Sequence, residues 1–109
     1  MDITIIEHNS DVILTTPGNV TTLNFQRNPG LKGQAIRAAD AARKYDVTQA
    51  SLSRWADRGY IRVLRQAPRL LELDEGDVHF VSQVYHTAQE HAKNRMQAGW
   101  ILRRVLEAV

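Results

Sequence analysis

The chain contains no cysteine, few aromatic residues and no long apolar run. Without cysteine it can form no disulfide framework, no thiolate metal site and no thiol nucleophile. It has no run of the about 18 apolar residues that suggest a membrane-spanning helix, and its start lacks the basic and apolar blocks of a secretory signal. We therefore expect a soluble, cytoplasmic protein. Its 109 residues allow one modest hydrophobic core and are too few for a two-domain enzyme.

Charge is distributed unevenly along the sequence. Residues 35–69 contain eight basic and three acidic residues, a net charge of +5, whereas residues 1–33 carry −1 and residues 70–109 carry −2. Seven of the eight basic residues are arginines, and a guanidinium binds a phosphate through two parallel hydrogen bonds. The segment favours a polyanionic partner. A solvated basic face explains the charge alone equally well.

The first 25 residues alternate β-branched runs with turn signals at Asn9-Ser10-Asp11 and Pro17-Gly18-Asn19. This pattern predicts a meander of two or three antiparallel strands, which must pack on the rest of the chain or on another subunit. A segment rich in proline and glycine, from Asn28 to Gly33, predicts a linker. We therefore expect a β-rich extension with its linker over residues 1–33, followed by a single folded domain over residues 34–109.

From Ile36 the pattern becomes helical, with an alanine-rich helix that ends near Asp46. Asp tolerates the left-handed backbone that often ends a helix. Thr48 is a good N-cap for a second helix, from Gln49 to about Arg58, and Gly59 is a typical residue to follow its end. Two short helices joined by a tight turn make a helix-turn-helix.

A small hairpin is predicted directly after the second helix. Tyr60 to Leu64 and Leu70 to Leu73 have strand character, and the intervening Arg65 to Pro68 favours a turn. Asp74 is then a plausible N-cap, with Asp77 at the third helical position.

A long helix follows this cap in the predicted order of elements. Apolar residues recur at spacings of three and four from Val78 to Ala92. The segment from Met96 to Gly99 is predicted to interrupt the helix, and a last short helix restarts the pattern near Ile101. Trp55 and Trp100 both occupy apolar stripes and are predicted to be core residues.

The stretch from Val47 to Ile61, with Arg54-Trp55 followed by Gly59, is similar to the winged helix-turn-helix of the MerR superfamily, and most similar to its small excisionase-like members. The hairpin, the helix that starts at Asp74 and the segment Gln97–Leu106 resemble the wing, third helix and fourth helix of that fold. The resemblance covers about residues 36–106. It implies a mainly α fold with small β elements, of about four helices plus a wing hairpin, which the N-terminal meander precedes.

The resemblance also implies binding of double-stranded DNA. The recognition helix would be Gln49–Arg58, entering the major groove, and the wing would be residues 62–73, lying on an adjacent backbone or minor groove. The family usually carries an arginine pair before an aromatic residue in the wing. Here the matching stretch is Leu71-Glu72-Leu73, so the wing contacts are assigned to Arg62, Arg65 and Arg69.

Individual side chains of this segment suit particular DNA groups. Arg54 can bind O6 and N7 of guanine and Gln49 can pair with adenine, while Thr48 and the free amides of the helix start suit a phosphate. The alternative for Arg54 is an ion pair with Asp57 on a solvated face. The candidate DNA-binding residues are Thr48, Gln49, Ser51, Ser53, Arg54, Arg58, Arg62, Arg65, Arg69 and Arg43.

No catalytic set and no cofactor site is found in the sequence, so we expect no enzyme activity. His79, Gln83, His86 and Glu90 share one face of the long helix. His86 and Glu90 have the spacing of a metal-ligand pair. Because no third ligand is placed, we interpret the stripe as a solvated polar surface and predict no metal. No small-molecule effector is indicated either.

Three functions remain open at this point. The first is a small transcriptional regulator, at the nucleoid when bound to DNA. The second is an excisionase-like or packaging-type architectural factor, and the third is a protein-interaction adaptor whose N-terminal strands bind a partner by strand addition. A single DNA-binding module buries only roughly 600–1,000 Å², so we expect a homo-oligomer, a dimer or an array on DNA. Candidate contacts are the N-terminal strands or Leu102, Val105, Leu106 and Val109.

Overall fold

The structure is a computed structural model that describes the backbone of residues 4–8, 11–15 and 22–108 and the side chains of residues 25–107. The described part is mainly helical, with small antiparallel sheets. Its elements in chain order are β1 (Thr4–His8), β2 (Asp11–Thr15), β3 (Thr22–Gln26), a 3₁₀ turn (Pro29–Leu31), β4 (Ala35–Arg37), α1 (Ala38–Tyr45), α2 (Gln49–Asp57), β5 (Val63–Ala67), β6 (Leu70–Asp74), α3 (Glu75–His91) and α4 (Arg95–Ala108). None of the helices in these ranges has the length and apolar character needed to cross a membrane.

Two compact units are formed by the described residues. One comprises residues 28–82, and the other combines the described residues up to 27 with those from 83 onward. The boundary predicted between residues 33 and 34 falls inside the first unit, while the 3₁₀ turn Pro29–Leu31 occupies the predicted linker.

The pair α1–α2 follows the predicted local chemistry. The chain leaves α1 at Asp46 in the left-handed conformation, with φ 53°. Thr48 caps α2, since its Oγ1 accepts a hydrogen bond from the Ser51 amide at 3.0 Å. The helix ends before Gly59, whose φ is 82°, a value that glycine adopts without steric cost. These capping predictions are confirmed.

The hydrophobic core of residues 28–82 lies under α2. Leu52 and Trp55 are buried on its inner face, as predicted, together with Ile61, Leu73 and Val78 from the elements that follow. The outer face of α2 is therefore left to polar and charged side chains.

A three-stranded antiparallel sheet of order β4–β6–β5 follows the helix pair. The hairpin β5–β6 is confirmed, but its predicted turn at Arg65–Pro68 is wrong. Ala67 pairs with Leu70, so the turn is Pro68-Arg69. The strand β4 was not predicted, since the pattern from Ile36 onward was interpreted as helical. Its three residues pair with β6, a contact distant in sequence that local patterns do not reveal.

The start of α3 is fixed by Asp74, a buried carboxylate at the end of β6. Its Oδ1 accepts from the Asp77 amide at 3.2 Å, as the N-cap prediction requires. Its Oδ2 accepts from the Gly33 amide at 2.9 Å. Gly76 packs tightly beside this cap, because a Cβ there would lie 3.1 Å from both the Lys32 backbone and Asp74 Oδ1.

The N-terminal meander is confirmed as an antiparallel sheet of order β1–β2–β3. The predicted turn signals at residues 9–10 and 17–19 lie outside the described residues. At the end of β3, Phe25 is fully buried. The next residue, Gln26, exchanges hydrogen bonds with the Gln83 side chain through its amide at 2.9 Å and its carbonyl at 2.8 Å.

The interruption predicted at Met96–Gly99 is wrong, because these residues lie within α4. The break between α3 and α4 falls at residues 92–94. Asn94 Oδ1 accepts from the Gln97 amide at 2.8 Å, and Gln97 Oε1 accepts from the Lys93 amide at 2.6 Å. This side-chain capping starts α4 before Gly99. Trp100 was predicted to be core but is only half-buried.

Candidate nucleic-acid interface

In the folded unit of residues 28–82, basic side chains are exposed and most acidic side chains are buried or half-buried. The unit holds nine basic residues, all of which are exposed, and seven acidic residues, of which only Asp40, Asp46 and Asp57 are exposed. The other four acidic residues are buried or half-buried. The surface of this unit is therefore far more basic than its sequence.

The buried and half-buried carboxylates accept hydrogen bonds from other groups within this unit. Glu75 Oε2 accepts hydrogen bonds from Lys44 Nζ and from the Tyr45 hydroxyl, both at 2.5 Å. These donors lower the pKa of Glu75, the Lys44 bond contributing most. Burial, with the neighbouring Glu75 carboxylate, raises the pKa of Tyr45. Asp74 caps α3, and Asp77 Oδ2 accepts from the Arg62 amide at 2.9 Å.

The exposed surface of α2 consists of two adjacent rows of side chains. One row contains Gln49, Ser53 and Asp57, and the other contains Ala50, Arg54 and then Arg58, which caps the helix end. Spacings of four residues place the members of each row on one side of the helix. The predicted base-reading residues Gln49, Ser53 and Arg54 are thus all exposed.

Arg54 is held by the start of its own helix. Its Nη2 donates to Ser51 Oγ at 3.1 Å, and Ser51 Oγ also accepts from the Thr48 hydroxyl at 2.9 Å. Ser51 is buried, so within the predicted set it positions Arg54 and does not itself face solvent. The alternative ion pair between Arg54 and Asp57 is not among the ion pairs formed by the described residues. A guanidinium has five N–H donors, so Arg54 keeps several for a ligand.

The hairpin β5–β6 presents the three remaining predicted arginines of the wing. Arg62, just before β5, and Arg65 are exposed, and Arg65 Nη1 lies 4.0 Å from Glu72 Oε1. Arg69 occupies the second position of the two-residue turn, with φ 63°. Positive φ is uncommon for a residue with a side chain, and proline followed by positive φ is typical of a type II turn, which favours glycine or asparagine. The turn therefore holds a cation where glycine would fit better.

Not every basic residue of this unit is equally available. Arg43 forms an ion pair with Asp40, and Lys44 is paired with Glu75. Six basic side chains form no ion pair with the described residues. They are Lys32, Arg37, Arg54, Arg58, Arg62 and Arg69. Lys32 and Arg37 were not among the candidates, and only their positive charge pointed to them.

The polar stripe on α3 is not a uniformly solvated face. His79 is half-buried and its ring contacts that of Tyr45 edge-on at 6.0 Å. Its buried Nδ1 has no hydrogen-bond partner in the part of the chain that the structure describes. Gln83 is bound to Gln26. Within the described residues, no three metal-ligating side chains cluster.

Comparisons with models of known families, with curated proteins and with solved structures give no match for this chain.

Proposed function

We propose that residues 28–82 form a winged helix-turn-helix that binds double-stranded DNA, and that the protein is a small transcriptional regulator. The observation that carries the proposal is the separation of charge by depth, with every basic side chain of this unit exposed and most acidic ones withdrawn. The long-range field of such a surface attracts a polyanion.

The shape of the basic elements supports duplex DNA as that polyanion. α2 is capped at both ends and shows a polar outer face, and the major groove of B-DNA admits one α-helix. Arg54 and Gln49 would contact base edges there. Arg58, Arg62, Arg65 and Arg69 would contact phosphates and set the register of the protein on the duplex. Arg43 contributes least, because Asp40 already neutralises it.

Fluorescence polarisation tests the proposal with the full chain and labelled random duplex DNA at about 50 and about 200 mM salt. Each phosphate contact releases counterions, so the logarithm of the affinity falls with the logarithm of salt by about 0.9 per contact. Arg54→Ala should weaken binding further. Arg103→Ala removes the same charge from α4, outside this unit, and should have little effect.

The outcomes separate the proposal from its alternatives. Absence of binding at low salt, with circular dichroism that shows folded protein, contradicts DNA binding. Equal losses for the two arginine variants would assign any binding to net charge alone. An architectural factor would instead bend a selected site strongly, which a gel-shift assay with permuted site positions measures. The homo-oligomer remains a prediction that sedimentation with and without DNA tests.

A further inference from the structure

A second candidate binding surface lies along α4, which is not part of the unit of residues 28–82. Lys93, Asn94, Met96, Gln97 and Trp100 line an open groove of about 420 Å³. We call it the Trp100 groove. Its volume is within the range of about 300–1,000 Å³ typical of ligand sites. The groove has no part in the proposed DNA contacts.

The groove exposes apolar side chains at adjacent turns of one helix. Met96 is 86% exposed, the largest exposed fraction of any big hydrophobic residue in the described part of the chain. Trp100, four residues later, is only half-buried. Methionine is common on surfaces that bind varied partners, and tryptophan is enriched among residues that dominate binding energy. This pair is therefore suited to receive an apolar side chain from outside.

Basic residues lie in the same segment as the groove, where Lys93 lines it and Arg104 contacts Trp100. Lys93, Arg95, Arg103 and Arg104 are all exposed. They form no ion pair with any described residue, Glu107 of the same helix included. Arg104 lies over the Trp100 ring, with its guanidinium carbon 5.9 Å from the centroid. Lys93 and Arg104 can therefore bind carboxylates beside the apolar side chains of Met96 and Trp100.

We propose that the Trp100 groove binds an acidic amphipathic helix of a partner protein. Such a helix would insert an aliphatic side chain between Met96 and Trp100, and its carboxylates would bind Arg103, Arg104 and Lys93. Helices that dock in grooves present apolar residues at spacings of three and four, with charges beside them. A nucleic acid fits less well, because Arg104 already covers a face of Trp100 on which a base would stack.

The probe is a fluorescein-labelled peptide of about 16 residues in which leucine recurs every three or four positions among glutamates. Two control peptides replace the glutamates by lysine or the leucines by alanine. Anisotropy is measured with the full chain and four variants. Met96→Glu is matched by Gln89→Glu, which adds the same charge at an exposed site outside the groove, and Arg104→Gln is matched by Arg58→Gln.

We expect the acidic leucine peptide to bind at least about tenfold more tightly than either control peptide, as a docked apolar anchor with charged neighbours requires. Met96→Glu and Arg104→Gln should each weaken it by about tenfold, while Gln89→Glu and Arg58→Gln leave it within about twofold. Tryptophan fluorescence should change as the peptide binds, and with Met96→Glu the change should require about tenfold more peptide than with the parent chain.

Three results would overturn the proposal. Equal binding of the acidic and alanine peptides, or equal effects of the matched variants, would show general attraction to charge. Self-association that Met96→Glu abolishes in sedimentation, without peptide binding, would make a second copy the occupant. A single-stranded oligonucleotide that binds in place of the peptide and loses affinity in Arg104→Gln would make the groove a nucleic-acid site. None of these measurements depends on whether residues 28–82 bind duplex DNA.

Discussion

Ser51 Oγ accepts a hydrogen bond from Arg54 Nη2 at 3.1 Å, and the serine is buried while the arginine is exposed. A buried hydroxyl thereby restrains a charged side chain that ends in solvent. Restraint of this kind lowers the entropy lost when the guanidinium binds a ligand.

Replacing Ser51 by alanine should therefore weaken DNA binding without unfolding the protein. The Thr48 cap remains, since its Oγ1 accepts from the backbone amide of residue 51. We expect an affinity loss of about three- to tenfold, corresponding to about 1 kcal/mol for one hydrogen bond of a partly exposed guanidinium. Polarisation with duplex DNA measures it, with Ser82→Ala as the control for a buried serine outside α2. An unchanged affinity would show that the bond does not orient Arg54 for DNA.

The Ser82 control carries a prediction of its own. Ser82 is buried and its Oγ has no hydrogen-bond partner among the described residues. A buried hydroxyl without a partner costs about 1–3 kcal/mol of desolvation. Ser82→Ala should therefore raise the free energy of unfolding by about 1 kcal/mol, measured by urea denaturation. A destabilised variant would imply that the hydroxyl has a partner after all.

Arg69 allows stability and binding to be separated at the hairpin turn. Its φ of 63° costs a residue with a Cβ about 1 kcal/mol relative to glycine. Arg69→Gly should thus hold or raise the thermal midpoint while it weakens DNA binding and reduces the salt slope by about one contact. Arg69→Ala keeps the backbone cost and loses the charge, so it should bind like the glycine variant but melt earlier. Equal melting of the two variants would argue against strain in the turn.

Because the pKa of Glu75 is lowered in the folded protein, we expect the protein to lose stability in acid. Hydrogen bonds from Lys44 and Tyr45 lower its pKa from the ordinary value of 4.5. A group whose pKa is lower when folded stabilises the protein above the unfolded value, and this stabilisation is lost as the pH falls through the folded value. Urea midpoints should therefore fall as the pH decreases below the ordinary pKa of 4.5.

Tyr45→Phe tests whether the Tyr45 hydrogen bond contributes to the lowered pKa of Glu75. It removes one donor, so the pKa of Glu75 should move toward its ordinary value and the stability lost in acid should become smaller. Tyr60→Phe removes a half-buried tyrosine hydroxyl that bonds no described carboxylate and should leave this loss unchanged. If both variants reduced the loss alike, the Tyr45 bond would not be the cause.

Sequence patterns predicted best those features that neighbouring residues determine. The left-handed Asp46, the Thr48 cap and Gly59 act within a single turn of backbone, so short motifs reveal them. The exposed positions of Gln49 and Arg54 followed from helical spacing. The outward face of the candidate site thus depends on local sequence alone.

The errors arose where distant or unusual contacts decide. The strand β4 exists because Ala35–Arg37 pairs with β6, almost forty residues away. The turn was misplaced because Arg69 adopts a conformation that sequence rules reserve for glycine and asparagine. Gly99 suggested a helix break, yet the Asn94 cap starts α4 earlier. The full or partial burial of four acidic residues, on which the proposed function depends, required tertiary contacts and could not be read from the sequence.

Asp74 connects the hairpin to α3 and should dominate the stability of residues 28–82. Its two oxygens accept from the Asp77 and Gly33 amides, and the side chain is buried. Asp74→Ala leaves the amides of Gly33 and Asp77, both in part-buried hydrogen bonds, without this acceptor, so we expect a loss of about 2–4 kcal/mol, more than a surface cap alone provides. Asp74→Asn retains one acceptor and should lose less. Urea denaturation measures the difference, and equal losses would mean that one of the two amides finds another acceptor.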